Sequence, residues 1–304
     1  MHVTQLEMSR NLLNDLEKLN RSFADVNRQL STTKKLNYLG DSPLGSADLV
    51  DITQQALKLE AYGYNMIESS YKLKASEAAL NAVYNALISI YTLGESAANE
   101  PTSVEGRKAI LLEITKLRDE LISRGNTQVD GMYIFGGTSV NKAPFELDGT
   151  LNVVDYTLTG SENRVNSIPI GDGVNVEAGV TGEKSMGAVF DAVDKLIKAI
   201  DDSINNPGGP GVEGIDEALG RFSGALDELN AARGEIGVNL SIVERMSAML
   251  DTRATVLREQ RANIEDANIL EVATRIGQLQ TAINAALLSG STILQQNTLF
   301  DIIG

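Results

Sequence analysis

Leu12, Leu16, Leu19, Phe23, Val26 and Leu30 stand four, three, four, three and four residues apart. That alternation marks an apolar seam along a helix that packs on another helix. It predicts a helix from about Thr4 to Thr33. The alternation returns in Ile52, Ala56, Leu59, Gly63, Met66, Ser70 and Leu73, and Leu80, Tyr84, Leu87 and Tyr91 stay in phase. A second helix is expected from about Ser46 to Ala98, a rod of roughly 75 Å at ~1.5 Å per residue. Gly63 and Ser70 thin this seam but permit close approach of a neighbour. Near the other end the seam reads Ile236, Leu240, Val243, Ser247, Leu250, Ala254, Leu257, Arg261 and Ile264. It then reads Ile269, Val272, Ile276, Leu279, Ile283, Ala286, Gly290, Ile293, Asn297 and Phe300. The five-residue step from Ile264 to Ile269 breaks the phase and predicts a joint at 265–269.

Turn-forming residues divide the rest. Lys34 to Gly45 contains Gly40, Asp41, Ser42 and Pro43, and reads as a linker. Pro101 ends the second helix, and Thr102 or Ser103 can cap a third, with Glu105 in its first turn. That helix reaches about Val129, with Ile110, Ile114, Leu117 and Leu121 as its apolar face. The grammar then changes. The runs 132–135, 151–159, 164–171 and 173–180 are rich in Val, Ile, Tyr and Thr, and Gly, Asn and Asp separate them. Several short strands are expected. Helical periodicity resumes from Ser185 to Ile204, Asn205–Gly211 is a linker, and a long helix starts near Val212.

The two ends look like a pair. The expected fold is mainly α with a small β-rich insertion. A long antiparallel helical rod would have its N- and C-terminal helices paired as a coiled coil. Residues 1–42 and 270–304 would be a terminal assembly domain, 43–131 and 185–269 the rod, and 132–184 an outer β-rich insertion. Charge follows the same division. The net charge is −15, and residues 43–269 hold 34 acids against 19 bases. Residues 270–304 carry only Glu271, Arg275 and Asp301 as charged side chains. A helix so poor in charge is buried, either in an ordinary core or by other chains.

Chemistry is sparse. With no Cys there are no disulfides or thiolate sites, and with one His, His2, no His-based triad or multi-His metal centre can form within a chain. The negative charge argues against nucleic acid, and no apolar run approaches a membrane span. Gly179–Ser185 resembles a phosphate loop, but Glu183 intrudes where Gly should directly precede Lys184. Gly136-Gly137 is not followed by the further glycine of a dinucleotide loop. Asp201-Asp202 and Asp216-Glu217 read as solvated helical faces. No catalytic residue, cofactor or metal site is expected. The first twenty residues lack a secretory signal pattern.

The residues at the breaks carry a resemblance. Leu30-Ser31-Thr32-Thr33-Lys34-Lys35-Leu36-Asn37, then Asp41-Ser42-Pro43, resembles the N-terminal signature of bacterial flagellins, LSTGKKIN followed by a short acidic stretch ending in Pro. Thr33 stands where the signature has Gly. Ile264-Glu265-Asp266-Ala267-Asn268, Leu279-Gln280 and Leu299-Phe300 resemble the flagellin C-terminus. Centrally, Gly131-Met132-Tyr133-Ile134-Phe135-Gly136-Gly137-Thr138 with Ala143-Pro144-Phe145 looks like the hook–filament junction members of that superfamily. The FNG-type sequence of filament flagellins is missing there.

The resemblance implies a structural subunit outside the cell, exported by the flagellar apparatus without a cleaved signal peptide. It would self-assemble into a ring through its terminal helices, beside another hook-associated junction protein, flagellin and, before export, a chaperone. The expected assembly seam is Leu12, Leu16, Leu19, Phe23, Val26, Leu30, Val272, Ile276, Leu279, Ile283, Ile293 and Phe300. The rival readings are a filament flagellin and a cytoplasmic helical scaffold.

Overall fold

The computed structural model describes residues 2–38, 40–99, 102–149, 153–205 and 211–300, with backbone alone for 2–6 and 293–300. Seven α-helices are present among them: α1 His2–Thr32, α2 Pro43–Ala98, α3 Val104–Gly125, α4 Gly182–Asn205, α5 Gly211–Gly220, α6 Phe222–Glu265 and α7 Ile269–Phe300. Six short strands lie between α3 and α4: β1 Gln128–Val129, β2 Met132–Tyr133, β3 Phe145–Asp148, β4 Val153–Tyr156, β5 Ser167–Gly171 and β6 Val174–Glu177. They pair as three antiparallel hairpins, β1–β2, β3–β4 and β5–β6. The fold is therefore mainly α with a small β insertion, as the periodicity predicts. Parts of the expected 205–211 linker and of the 151–159 run lie outside the described residues.

The chain divides into two compact units, residues 1–58 with 252–304, and residues 59–251. In the second unit, α2 buries Ser69, Leu73, Ser76, Leu80, Val83, Leu87 and Ile90. Leu73, Leu80 and Leu87 belong to the expected seam, but the alternate positions are Ser69, Val83 and Ile90 rather than Ser70, Tyr84 and Tyr91. The stripe is rotated because α2 serves a core shared by several elements rather than one partner helix. Helix α4 is its centre, burying Val189, Phe190, Val193, Leu196 and Ile200. Each such Leu or Ile contributes roughly 1.5–3 kcal/mol. A Cβ on Gly94 would lie 2.7 Å from Leu219 and 3.0 Å from Leu196, so glycine lets α4 and α5 close on α2.

Three boundaries differ from the sequence expectation. Helix α3, capped by Ser103, whose hydroxyl accepts the Gly106 N–H at 3.1 Å, ends at Gly125 instead of Val129. Asp130 and Gly131, with φ of 52° and 76°, form the tight turn that pairs Val129 with Met132. Residues 145–148, not expected as a strand, pair with β4. The long helix expected from Val212 is interrupted at Gly220–Arg221, a weak helix position at Gly. Helix α6 restarts at Phe222, whose ring lies 5.7 Å from that of Tyr91.

Phe145 anchors the insertion. It is fully buried, 4.7 Å from Phe190 and 5.4 Å from Tyr156 between ring centroids. A Cβ on Gly125 or Gly182 would lie 2.6 or 2.8 Å from its ring, so both glycines make room for it. Asn126 donates to the Phe145 carbonyl at 2.8 Å and accepts its N–H at 3.1 Å.

Candidate assembly surface

Helices α1 and α7 run antiparallel along one another. Leu12 lies against Gly290, where an added Cβ would be 2.8 Å from its Cδ2, and Thr33 meets Ala267 at the opposite end. Nine of the twelve expected seam residues are buried or half-buried. Val26 and Val272 are buried, and Leu12, Leu16, Leu19, Phe23, Ile276, Leu279 and Ile283 are half-buried. Leu30 is exposed, and the side chains of Ile293 and Phe300 lie outside the described residues. Gly290, in the expected phase beyond Ile283, is buried, and Ser9 continues the seam one step N-terminally, three residues before Leu12. Only the 4,3 phase, extended past the apolar residues, could have found Ser9.

The two sequence breaks meet. Lys34 and Asp266 form an antiparallel β-bridge, Lys35 N–H donates to the Glu265 carbonyl at 2.8 Å, and Ala267 N–H donates to the Thr33 carbonyl at 2.9 Å. The Lys34 ammonium also binds the Glu265 carboxylate, and Arg261 donates to it at 2.8 Å. The Lys34 bond first, then Arg261, holds the Glu265 pKa below its ordinary value. Asp41 Oδ2 accepts the N–H groups of Asn37 and Tyr38, each at 2.9 Å, which lowers its pKa too. Ser42 caps α2 through the Gly45 N–H, with Pro43 at the first helical position. Asn268 accepts from Leu270 N–H at 3.2 Å at the start of α7. Thr33 has φ of 58°, the left-handed region where Gly is comfortable and a β-branched residue is not. The departure from the flagellin signature thus falls on the one turn residue that the signature's Gly would relax.

The central motif packs inward. Phe135 is fully buried and its carbonyl accepts the Gly182 N–H at 3.0 Å. Gly137, at φ of 57°, would place a Cβ 2.3 Å from the Glu162 carbonyl oxygen. The phosphate-loop lookalike is spent on structure, because the Ser185 hydroxyl donates to the Thr181 carbonyl at 2.9 Å. Asp201, Asp202, Asp216 and Glu217 are exposed. Asp194, by contrast, is buried. It accepts Val154 N–H at 2.7 Å and lies 3.6 Å from the Arg118 guanidinium, tying β4 to α3 and α4. Burial raises its pKa, against the opposing pull of Val154 and Arg118. Among the described residues there is no cluster of metal-ligating side chains and no helix long and apolar enough to cross a membrane.

Outside the seam, α7 leaves Leu270, Leu287 and Leu288 exposed, and only Glu271 and Arg275 are charged along the helix. These exposed leucines are what the sequence reading left unassigned.

Residues 3–140 match the bacterial flagellin N-terminal helical region. Flagellar hook-associated protein 3 of Salmonella typhimurium is 21% identical, over 97% of this chain and 98% of its own. Flagellin B of Helicobacter pylori is 23% identical, over 68% of this chain but 42% of its own. The structure of the flagellar junction protein FlgL from Legionella pneumophila superposes with a TM-score of 0.56 at 13% identity, covering 72% of this chain and 99% of that one. With its terminal helices paired, its two breaks joined and its insertion anchored on the central motif, the chain has the fold of flagellar junction proteins, matches the flagellin N-terminal helical region over residues 3–140, and resembles flagellar hook-associated protein 3 along nearly its whole length.

Proposed function

We propose that the chain joins hook to filament as one subunit of a ring formed through α1 and α7. The observation that carries this reading is the outer face of α7. After pairing with α1 it still presents Leu270, 81% exposed, and Leu288, 69% exposed, with almost no charge. An apolar face of that kind is stabilised by covering it with neighbouring copies. Residues 1–42 and 270–304 then act as the assembly domain, 43–131 and 185–269 as the rod, and 132–184 as the outward part. Neighbours in the ring's axis are another hook-associated junction protein on one side and flagellin on the other. Before assembly the subunit travels outward through the flagellar export apparatus, held by a chaperone and without cleavage of a signal peptide. A chain with no Cys suits threading, since no disulfide can block it.

Deleting the gene tests the reading. The expected result is hooks without filaments, with flagellin shed into the medium. Attached filaments in the deletion strain would overturn it. Absence of shed flagellin would instead favour a filament subunit.

A further inference from the structure

Helix α7 has two apolar faces, and α1 covers one of them. At ~100° per residue, Leu270, Gly277 and Leu288 fall within about 20° of one another on the outer face, and all three are exposed. Val272, Leu279, Ile283 and Gly290 fall on the opposite side and are buried or half-buried. Both faces keep a helical repeat, so apolarity does not choose between them. Size does. Thr33 bonds to Ala267 and Lys34 bridges to Asp266, so paired residue numbers add to 300 at the joint. At the other end Leu12 meets Gly290, and these add to 302. Two helices of equal rise that hold one register at both ends hold it between. The steps of four and three from Leu12 to Leu30 then run against the same steps from Gly290 back to Val272, and Leu16 falls opposite Ala286. The joint therefore dictates where Leu12 lands. At that height the inner face of α7 offers Gly290, and the outer face offers Leu288. An added Cβ on Gly290 would lie 2.8 Å from Leu12 Cδ2, closer than carbon atoms pack. One face has a hole for the Leu12 knob, and the other has a knob of its own.

We infer that Gly290 decides which face of α7 receives α1, by seating Leu12, and so keeps the face with Leu270 and Leu288 outward for neighbouring copies. The last step rests on the self-assembly reading, to which the inference adds one residue on which correct assembly depends. Glycine is otherwise a poor choice well inside a 32-residue helix. Leucine at 290 would make a better helix and a worse pair. A single methyl group can be absorbed by turning the end of the Leu12 side chain, but a full leucine side chain cannot. With position 290 filled, neither face of α7 accepts Leu12. Helix α1 then leaves its seam, and the inner apolar face competes with the outer one for neighbours.

The chain has no Cys, so an introduced pair of thiols reports the register without background. In full-length monomer treated with copper–phenanthroline, Leu16→Cys with Ala286→Cys should form an intramolecular disulfide. Leu16→Cys with Asn284→Cys, on the outer face, should not, and neither should Leu16→Cys with Leu279→Cys, one heptad or ~10.5 Å along the seam. Adding Gly290→Leu should slow the 16–286 disulfide about tenfold, and adding Leu12→Ala as well should restore it. Gly277→Leu is the control on the same helix. Its added Cβ meets nothing within 4 Å, so the 16–286 disulfide should be unchanged. Equal trapping at 284 and 286, or unchanged trapping in Gly290→Leu, would overturn the seating of Leu12. Incorporation into flagella, with the thiols omitted and the cell's own copy replaced, is the second readout. Gly290→Leu should lower it about tenfold, and Gly290→Leu with Leu12→Ala should recover. Lost pairing in the monomer with full incorporation would overturn the role of Gly290 in assembly. Absence of the unmodified chain from isolated flagella would overturn the assembly reading itself and leave the monomer result standing.

Discussion

Leu73, Leu80 and Leu87 of α2 are wholly buried, whereas Leu12, Leu16 and Leu19 of α1, at the same kind of spacing, are half-buried. The two units thus use one heptad grammar with different outcomes. In residues 59–251 a stripe on α2 meets α4, α6 and the insertion, and the core closes. In residues 1–58 with 252–304, α1 meets α7, and the buried hydrophobics among the described residues are Val26, Ile52, Leu257 and Val272. A two-stranded seam covers one side of each helix and leaves the other for a neighbour. The same periodicity therefore specifies a finished core where several elements converge, and an unfinished one where only two do.

The largest expected contrast is in local stability. Opening free energies span from about zero at thinly packed ends to the global value in a core. Limited proteolysis of dilute monomer should trim α1 and α7 first and spare residues 59–251. Hydrogen exchange should be slow in α2 beyond Leu73 and in α4, and fast in α1. Termini that resist protease as well as the core does would remove the contrast.

Single substitutions sharpen it. Phe145→Ala removes a fully buried ring from between Gly125, Gly182 and Phe190, and should cost about 3–5 kcal/mol by chemical denaturation. Leu279→Asp acts on the other unit. It should leave the helicity and melting of the monomer's larger unit unchanged while abolishing incorporation into flagella. A collapse of that unit's circular-dichroism transition in Leu279→Asp would make Leu279 an ordinary core residue.

Helices and joints were legible because each left a local mark. The 4,3 runs placed α1, α2, α6 and α7, and the broken phase at 265–269 with the Gly-Pro cluster at 40–45 placed both halves of the joint. That these halves bond to each other through Lys34 and Asp266 has no local signal, because the residues lie more than 200 apart in sequence. The strand at 145–148 was hidden for the same reason, since its pairing with Val153–Tyr156 and its anchor in α4 are tertiary. The Asp130-Gly131 dipeptide is itself a local turn signal, and it places the end of the third helix before Val129. On the candidate surface, the inner seam could be read from spacing. The outward stripes could not, because spacing alone does not say which of two apolar faces the fold will cover.

Thr33 offers a smaller effect, confined to the joint. A β-branched residue held at φ of 58° is strained by roughly 1–2 kcal/mol. Glycine relieves that strain but adds freedom to the unfolded chain, so Thr33→Gly should stabilise the terminal unit by about 1 kcal/mol or less. Slower hydrogen exchange in α1 near Arg28, with no change in α4, is the expected readout. Destabilisation would show that the Thr33 side chain contributes more to the joint than its backbone costs.

The smallest effect is the most discriminating, because the two units should respond to acid with opposite signs. Glu265 is held below its ordinary pKa by Lys34 and then Arg261. Its contribution is complete above the ordinary glutamate range and is lost as pH falls through the lowered value. Asp194 is displaced the other way by burial. Between the ordinary aspartate value and its raised one, the folded chain holds more protons than the unfolded chain, so Asp194 favours folding of its unit as pH falls through that window. Hydrogen exchange across this range should therefore show protection near the 33–35 and 265–267 joint weakening on the acid side. Glu265→Gln should abolish that slope. Around β4 and α4 the Asp194 contribution should run in reverse, and Asp194→Asn should remove it. The same sign at both sites would mean that the Lys34–Glu265 joint is not held by charge, and that the terminal unit differs from the core only in its depth of burial.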